Sequence, residues 1–413
     1  MRKPPVVGFH VSVGLTKRYM EEAYARGYAD HSGMVCSKCI TEPALAAAVR
    51  EEGESWDVED EEADVCEYCQ EVPQAPEALV ELDRVIELVV GGLRAEYDDP
   101  AEEAGWDGRE GGYQVPTYDT HDLLWEFKIA ENDKLIDDVA GAIHNTLWCQ
   151  LHPYESTEGQ ALQWGWSAFC RYVKTRRRYT FLAPEADPTL GGGDIPRHAV
   201  PAAVVRSVQH SGLVMVSPAG TTWWRARVHR AGETYGRAKE IGTPASEHAR
   251  DNRMTPKGIG AFYGASTLEG ARAEVAGYAA ADRDATVGQF IQLTDLALID
   301  LRDRPPVPSL FDERDRHLRG VRTFMRDFIT DVTKVADPSD IQDLDYIPTQ
   351  VIAEHLRYDI PVDGILWRST KDRDVTVCVL FLANNTMADR DATSEQSQLE
   401  LDPTSVTHIP GPL

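Results

Sequence analysis

NRMTPKGIGAFYGASTLEGARAEV, residues 252 to 275, runs from a Gly-studded apolar segment through Tyr263 into a turn and then a helical pattern. Strand alternation places Ile259, Ala261 and Tyr263 on one face, while Gly258, Gly260 and Gly264 allow another backbone to approach closely. Ser266 and Glu269 have the S-x-x-E spacing of a helix-starting capping box. Leu268, Ala271, Val275 and Tyr278 then recur at helical spacing, with Glu274 at the margin of that stripe. Taken alone, Glu274 is a boundary carboxylate with its head in water.

Two distant stretches bear on this one. In WWRARVH, residues 223 to 229, alternation puts Trp223, Arg225 and Arg227 on one face, and two guanidinium forks side by side suit a diphosphate. In DGILWRST, residues 363 to 370, Ile365, Trp367 and Ser369 share a face, and the serine closes the strand before the charged turn KDRD. A strand-end serine by itself is usually a turn former.

Around these stretches short strands and helices mix without regular βαβ alternation: TVGQFIQLT, ALIDL, helical stretches near 312 to 336 and 346 to 358, and VTVCVLFLA. That pattern predicts an α+β domain on a largely antiparallel sheet over 213–390. Residues 391–413 read as an acidic, loose tail. The Pro- and Gly-rich run from 182 to 202 reads as an interdomain linker, bounded at 183–212. Before it, residues 73–182 carry helical apolar spacing, with Leu79, Leu82, Ile86 and Val90 as one stripe, and predict a helical bundle. Cys149 and Cys170 fall in its Trp-rich segments as core residues, and TRRRY at 175 to 179 reads as a charged helix end.

Residues 1–72 hold the other motif. Cys36, Cys39, Cys66 and Cys69 form two C-x2-C pairs, each able to present two thiolates from one turn. Two such turns facing each other supply the tetrahedral sulfur set that zinc prefers, a closed structural site with no open position for substrate. The acidic run SWDVEDEEAD, 55 to 64, reads as a solvated insertion that lengthens the interval.

The 413-residue chain predicts two or three domains, and its formal charge of −26 sets it against a phosphate backbone, so no nucleic-acid partner is expected. No apolar run is long enough to span a membrane, MRKPPVVGFHVSVGLTKRYMEE lacks a cleavage site, and the seven cysteines have no secretory context. The chain is read as cytoplasmic, without a membrane partner.

The order WWRAR, NRMTPKGIGAFYGASTLEGARAE, DGILWRS and a VTVCVLF strand resembles the RES domain family over about 215 to 390. The resemblance makes Arg225 the family arginine, Glu274 the glutamate and Ser369 the serine, with Tyr263 the active-site tyrosine and Arg253 a further arginine. RGY, VCSKC, the second C-x-x-C, WCQLHPYES and WSAFCRYVKTRRRYTF resemble the HEPN-like domain found ahead of RES domains. This implies an ADP-ribosyltransferase-like fold that consumes NAD+, in toxins of toxin-antitoxin or anti-phage systems. Members cleave NAD+ with water or phosphate as acceptor, or transfer ADP-ribose to a protein. Glu274 is then expected to stabilise oxocarbenium character and Arg225, helped by Arg227 or Arg253, to hold the diphosphate. Tyr263 would stack on nicotinamide and Ser369 hydrogen-bond its amide or the ribose. An antitoxin or defence partner, and a homo-oligomer, are compatible with this. Competing readings are a catalytically inactive, zinc-stabilised binding module and an RNase toxin. The latter needs R-x4-6-H, absent from 75 to 182; Arg26 and His31 match it but lie outside the bundle.

Overall fold

The computed structural model describes residues 22–56, 63–183, 190–276, 283–334 and 342–411. The N-terminal 21 residues, most of the acidic insertion and Tyr278 lie outside them. The chain divides into two compact units, Met1–Glu155 with Pro308–Arg319, and Ser156–Val307 with Gly320–Leu413. No helix among the described residues is long and apolar enough to cross a membrane.

In the first unit the helix Leu82–Glu96 is buried along most of its length, from Leu82 through Val85, Ile86 and Val89 to Leu93. Leu79 belongs instead to a short strand, Leu79–Glu81, which pairs with Met34–Cys36. Gly92 lets the helix receive Phe311, whose ring a Cβ there would strike at 2.4 Å. Asp119 and Asn132 cap the helices Thr120–Glu126 and Asp133–Ala142 by accepting from backbone N–H groups. Trp148, expected on a helix, lies on the strand Leu147–Gln150 of a three-stranded sheet. The unit is therefore helical with small sheets, and the four cysteines are part of it rather than a separate segment.

The second unit is built on a ten-stranded sheet. Its main path runs Met387–Asp389, Leu399–Leu401, Arg283–Gln292, Thr222–Arg230, Phe262–Ala265, Thr376–Leu380, Gly364–Arg368, Leu296–Asp300, Val214–Ser217, and Thr407–Ile409 also pairs with Arg283–Gln292. All its pairings are antiparallel except Leu296–Asp300 with Gly364–Arg368 and Met387–Asp389 with Leu399–Leu401. One face carries Ala265, Ile365, Trp367, Val377 and Val379, with Trp224 and Tyr263 at its margin, and packs against helices. The other carries Trp223, Phe262, Phe290, Leu366, Cys378 and Leu380. Phe324 and Phe328, on the helix Arg319–Thr333, are almost fully buried, each contributing about 1.5–3 kcal/mol.

Three boundaries differ from the sequence-based expectation. The helix Glu158–Thr175, started by a capping box between Thr157 and Gln160, joins the sheet unit because Trp166, Phe169 and Val173 pack into its core. The linker contains a helix, Val200–His210, whose valines pack into the same core. The tail is not loose: Leu399 and Leu401 alternate into the second core, and their strand pairs in the sheet.

Candidate functional site

Glu274 sits near the end of the helix Leu268–Val275, which starts one residue later than the sequence suggests. Thr267, not Ser266, caps it, accepting from Gly270 N–H at 3.0 Å, while Ser266 accepts from Thr376 N–H. Gly270 lets the helix lie against Val375, which a Cβ would meet at 2.5 Å. Ser369 follows the strand Gly364–Arg368 and extends its ladder, donating its N–H to Val375 O at 2.8 Å. The result is a contact across 95 residues: Ser369 Oγ donates to Glu274 Oε1 at 3.0 Å. Lys371 helps to hold the serine, since its N–H donates to Ser369 Oγ at 3.2 Å while the hydroxyl proton goes to the acceptor carboxylate. Its ammonium also holds Ala273 O, next to Glu274. Sequence reasoning saw only a charged turn there; nothing in KDRD marks Lys371 apart from its neighbours.

Tyr263 pairs with Val379 across the sheet, on the helix-covered face. Its hydroxyl accepts from Met254 N–H at 3.3 Å and meets Thr255 Oγ1 at 3.0 Å. Burial pushes the phenol up to about 12, so it stays protonated at neutral pH. The NRM segment is thereby tied to the Tyr263 strand. Arg253 itself donates to Val332 O at 3.1 Å and to Lys334 O, and lies 5.5 Å over the Tyr346 ring.

Arg225 is placed differently. Trp224 pairs with Ala265, so Arg225 stands beside Gly264, on the face opposite the Tyr263 ring. Its guanidinium lies 5.1 Å over Phe262 and donates from Nε to Ile241 O at 2.8 Å and from Nη1 to Tyr263 O at 2.7 Å. Burial, then the neighbouring Arg227 charge, press it below the ordinary guanidinium value. Arg227 shares this face, is half-buried and is lowered first by burial. The structure thus brings Glu274 and Ser369 together and Tyr263 beside the Arg253 segment. The side-by-side fork expected of Arg225 and Arg227 is on the other side of the sheet, with Arg225 already engaged by two carbonyls.

In the first unit the four cysteines converge. Their Sγ atoms all lie within 4.8 Å of one another, with Cys36 to Cys39 and Cys36 to Cys69 at 3.6 Å and Cys39 to Cys66 at 3.7 Å. A zinc–sulfur bond of about 2.3 Å implies tetrahedral sulfur edges of about 3.8 Å, which these separations match. Cys36 N–H also donates to Cys66 Sγ at 3.4 Å, a bond that suits a thiolate. The Cys39 thiol is pushed up by its contacts with Cys36 and Cys66 and by burial. Of the Arg26 and His31 match, Arg26 meets Asp30, and His31 Nε2 lies 4.0 Å from Asp138.

Two known domains match the chain. Residues 222–402 match the RES domain, and residues 59–187 match HEPN/RES N-terminal domain 1. The chain carries a RES domain preceded by that HEPN/RES N-terminal domain. Among solved structures it is similar to the crystal structure of the M. tuberculosis MbcT-MbcA toxin-antitoxin complex, at 14% identity, covering 50% of this chain and 90% of that one, with a TM-score of 0.29. No curated protein matches.

Proposed function

We propose that this protein is a toxin-like enzyme that consumes NAD+ by cleaving the bond between nicotinamide and ribose. The observation that carries the reading is the 3.0 Å hydrogen bond from Ser369 to Glu274, within the RES-matching residues and on the Tyr263 face. Departure of nicotinamide breaks the C1′–N bond, with its electron pair leaving on the ring nitrogen, and develops positive charge on the ribose. The Glu274 carboxylate stabilises that charge, as glycosidase carboxylates do. An acceptor oxygen, from water or phosphate, then bonds to C1′ and releases its proton to solvent. Ser369, oriented by Lys371, fixes the carboxylate and hydrogen-bonds the ribose. Tyr263 flanks the nicotinamide end. Arg253, on Tyr263's side of the sheet, takes the diphosphate role, while Arg225 positions the Tyr263 strand and Arg227 stays a candidate contact from the opposite face. The fold is assigned as ADP-ribosyltransferase-like, and restraint of the toxin to the N-terminal half or a separate antitoxin. Zinc, held by Cys36, Cys39, Cys66 and Cys69, is structural.

The test is incubation of the full chain with NAD+ while free nicotinamide is followed, in water, with phosphate and with candidate protein acceptors. Glu274→Gln is expected to slow release by about 10²- to 10³-fold with unchanged melting, as loss of one transition-state stabiliser does. Absence of nicotinamide from the unmodified protein under all three conditions would leave an inactive binding module as the better reading.

A further inference from the structure

A cavity of about 450 Å³ lies in the sheet unit, between the helix Glu158–Thr175 and the helix Gln342–Asp359, with Arg253 in its wall. Among the described residues four cations line it: Arg171 and Lys174 from the first helix, then Arg253 and Lys334. Two carboxylates accompany them. Asp345 pairs with Lys174 at 2.6 Å, and Asp331 accepts from Trp166 Nε1 at 3.2 Å and meets Lys334 at 3.3 Å. Among the described residues the lining is net cationic, in a chain with 68 acidic and 42 basic residues, where an arbitrary patch of surface would be acidic. Arg171 is exposed at this lining and has no ion pair among the described residues. Trp166 and Tyr346 add aromatic edges, and the volume falls in the range of small-molecule sites.

The cavity is connected to the proposed reaction site through the chain itself. Arg253 borders it, and the next two residues, Met254 and Thr255, hold the Tyr263 hydroxyl. We propose that this cavity binds the adenosine-diphosphate portion of the dinucleotide, with Arg171 and Lys174 as phosphate ligands supplied from outside the RES-matching residues. This rests on the NAD+ reading. A phosphate entering here exchanges the Lys174–Asp345 pair for charge-assisted bonds to Lys174, and Arg171 closes over it from the helix surface. The N-terminal region then contributes to substrate affinity through one helix that packs in the RES unit.

Two readouts on the full-length protein test this: ADP binding by calorimetry, and nicotinamide release as a function of NAD+ concentration. Arg171→Ala with Lys174→Ala is expected to weaken ADP by about tenfold or more and to raise KM by more than it lowers kcat. Because Lys174 also holds Asp345, the exposed single variant Arg171→Glu serves as a second probe and is expected to move both readouts in the same direction. Failure of the unmodified protein to bind ADP overturns the proposal, as does unchanged ADP affinity in both variants while nicotinamide release proceeds. ADP binding that both variants weaken, with no nicotinamide release from any form, supports the cavity and rejects the reaction instead.

Discussion

The four-cysteine cluster and the Glu274–Ser369 pair both join residues distant in sequence, yet they are held in opposite ways. Each half of the cluster is a local C-x2-C turn, so bringing two turns together completes it, and the sulfurs meet at 3.6 to 3.7 Å. Glu274 and Ser369 have no local partner of that kind. Their 3.0 Å contact depends on the register of the strands carrying Val377 and Trp367 and on Gly270 letting a helix settle on Val375. A site made by its own ligands fails by unfolding. A site made by a scaffold fails chemically while the scaffold stands.

The largest effect that follows is on the cluster. Cys36→Ser combined with Cys66→Ser is expected to remove about one equivalent of zinc and to unfold the surrounding segment, since structural zinc contributes apparent binding energies of about 10–16 kcal/mol in small domains. Metal analysis checks the first point. Hydrogen exchange checks the second, with protection lost in Met34–Cys36 and Leu79–Glu81 and kept in the strand Thr222–Arg230. Full retention of metal would remove zinc from the account and with it the contrast between the two sites.

The same contrast governs what the sequence makes legible. The cysteines announce themselves by spacing, and the strands carrying Arg225, Tyr263 and Ser369 by alternation, so the sheet's central elements lie close to where periodicity puts them. Glu274 did not stand out, because a carboxylate at a helix margin has the same pattern whether it faces water or a serine; only resemblance singled it out. Register was also invisible: alternation says that Arg225 and Arg227 share a face, but which face Tyr263 takes relative to them is set by the pairing of Trp224 with Ala265. The tail misled for a related reason. Leu399 and Leu401 are two apolar residues in a polar stretch, too few to signal a strand, and their burial is conferred by the partner strand Arg283–Gln292.

A middle-sized effect tests the placement of Arg225. Arg225→Met leaves Ile241 O and Tyr263 O without their donors, and two buried carbonyls so stranded cost about 2–3 kcal/mol net of the relief from no longer burying a cation. The expected result is a lower Tm, with Arg225→Lys intermediate because an ammonium reaches one carbonyl more easily than two. An unchanged Tm together with a steep rise in KM for NAD+ would show instead that the guanidinium serves the substrate directly, and that Arg225 belongs with Glu274 and Ser369 rather than with the scaffold.

The smallest effect concerns how the scaffold is closed at its far end. Asp284 accepts from Gly411 N–H at 3.0 Å and from Gly232 N–H at 3.1 Å, and His408 Nε2 lies 3.3 Å away. Those backbone donors, ahead of His408, hold its carboxyl below the usual aspartate value. A depressed folded value means that the stabilisation is fully present above the unfolded aspartate pKa of about 3.9 and is lost as pH falls through the folded one. Exchange protection of Thr407–Ile409 is therefore expected to hold at neutral pH and to drop in acid before that of Arg283–Gln292. Asp284→Asn keeps an acceptor for one of the two N–H groups and removes the titration, so it should lower protection of the last strand at neutral pH and flatten its acid dependence. Equal acid dependence in both proteins would show that the strand is held by its ladder alone, leaving the carboxylate no part in fastening the end of the chain to the sheet.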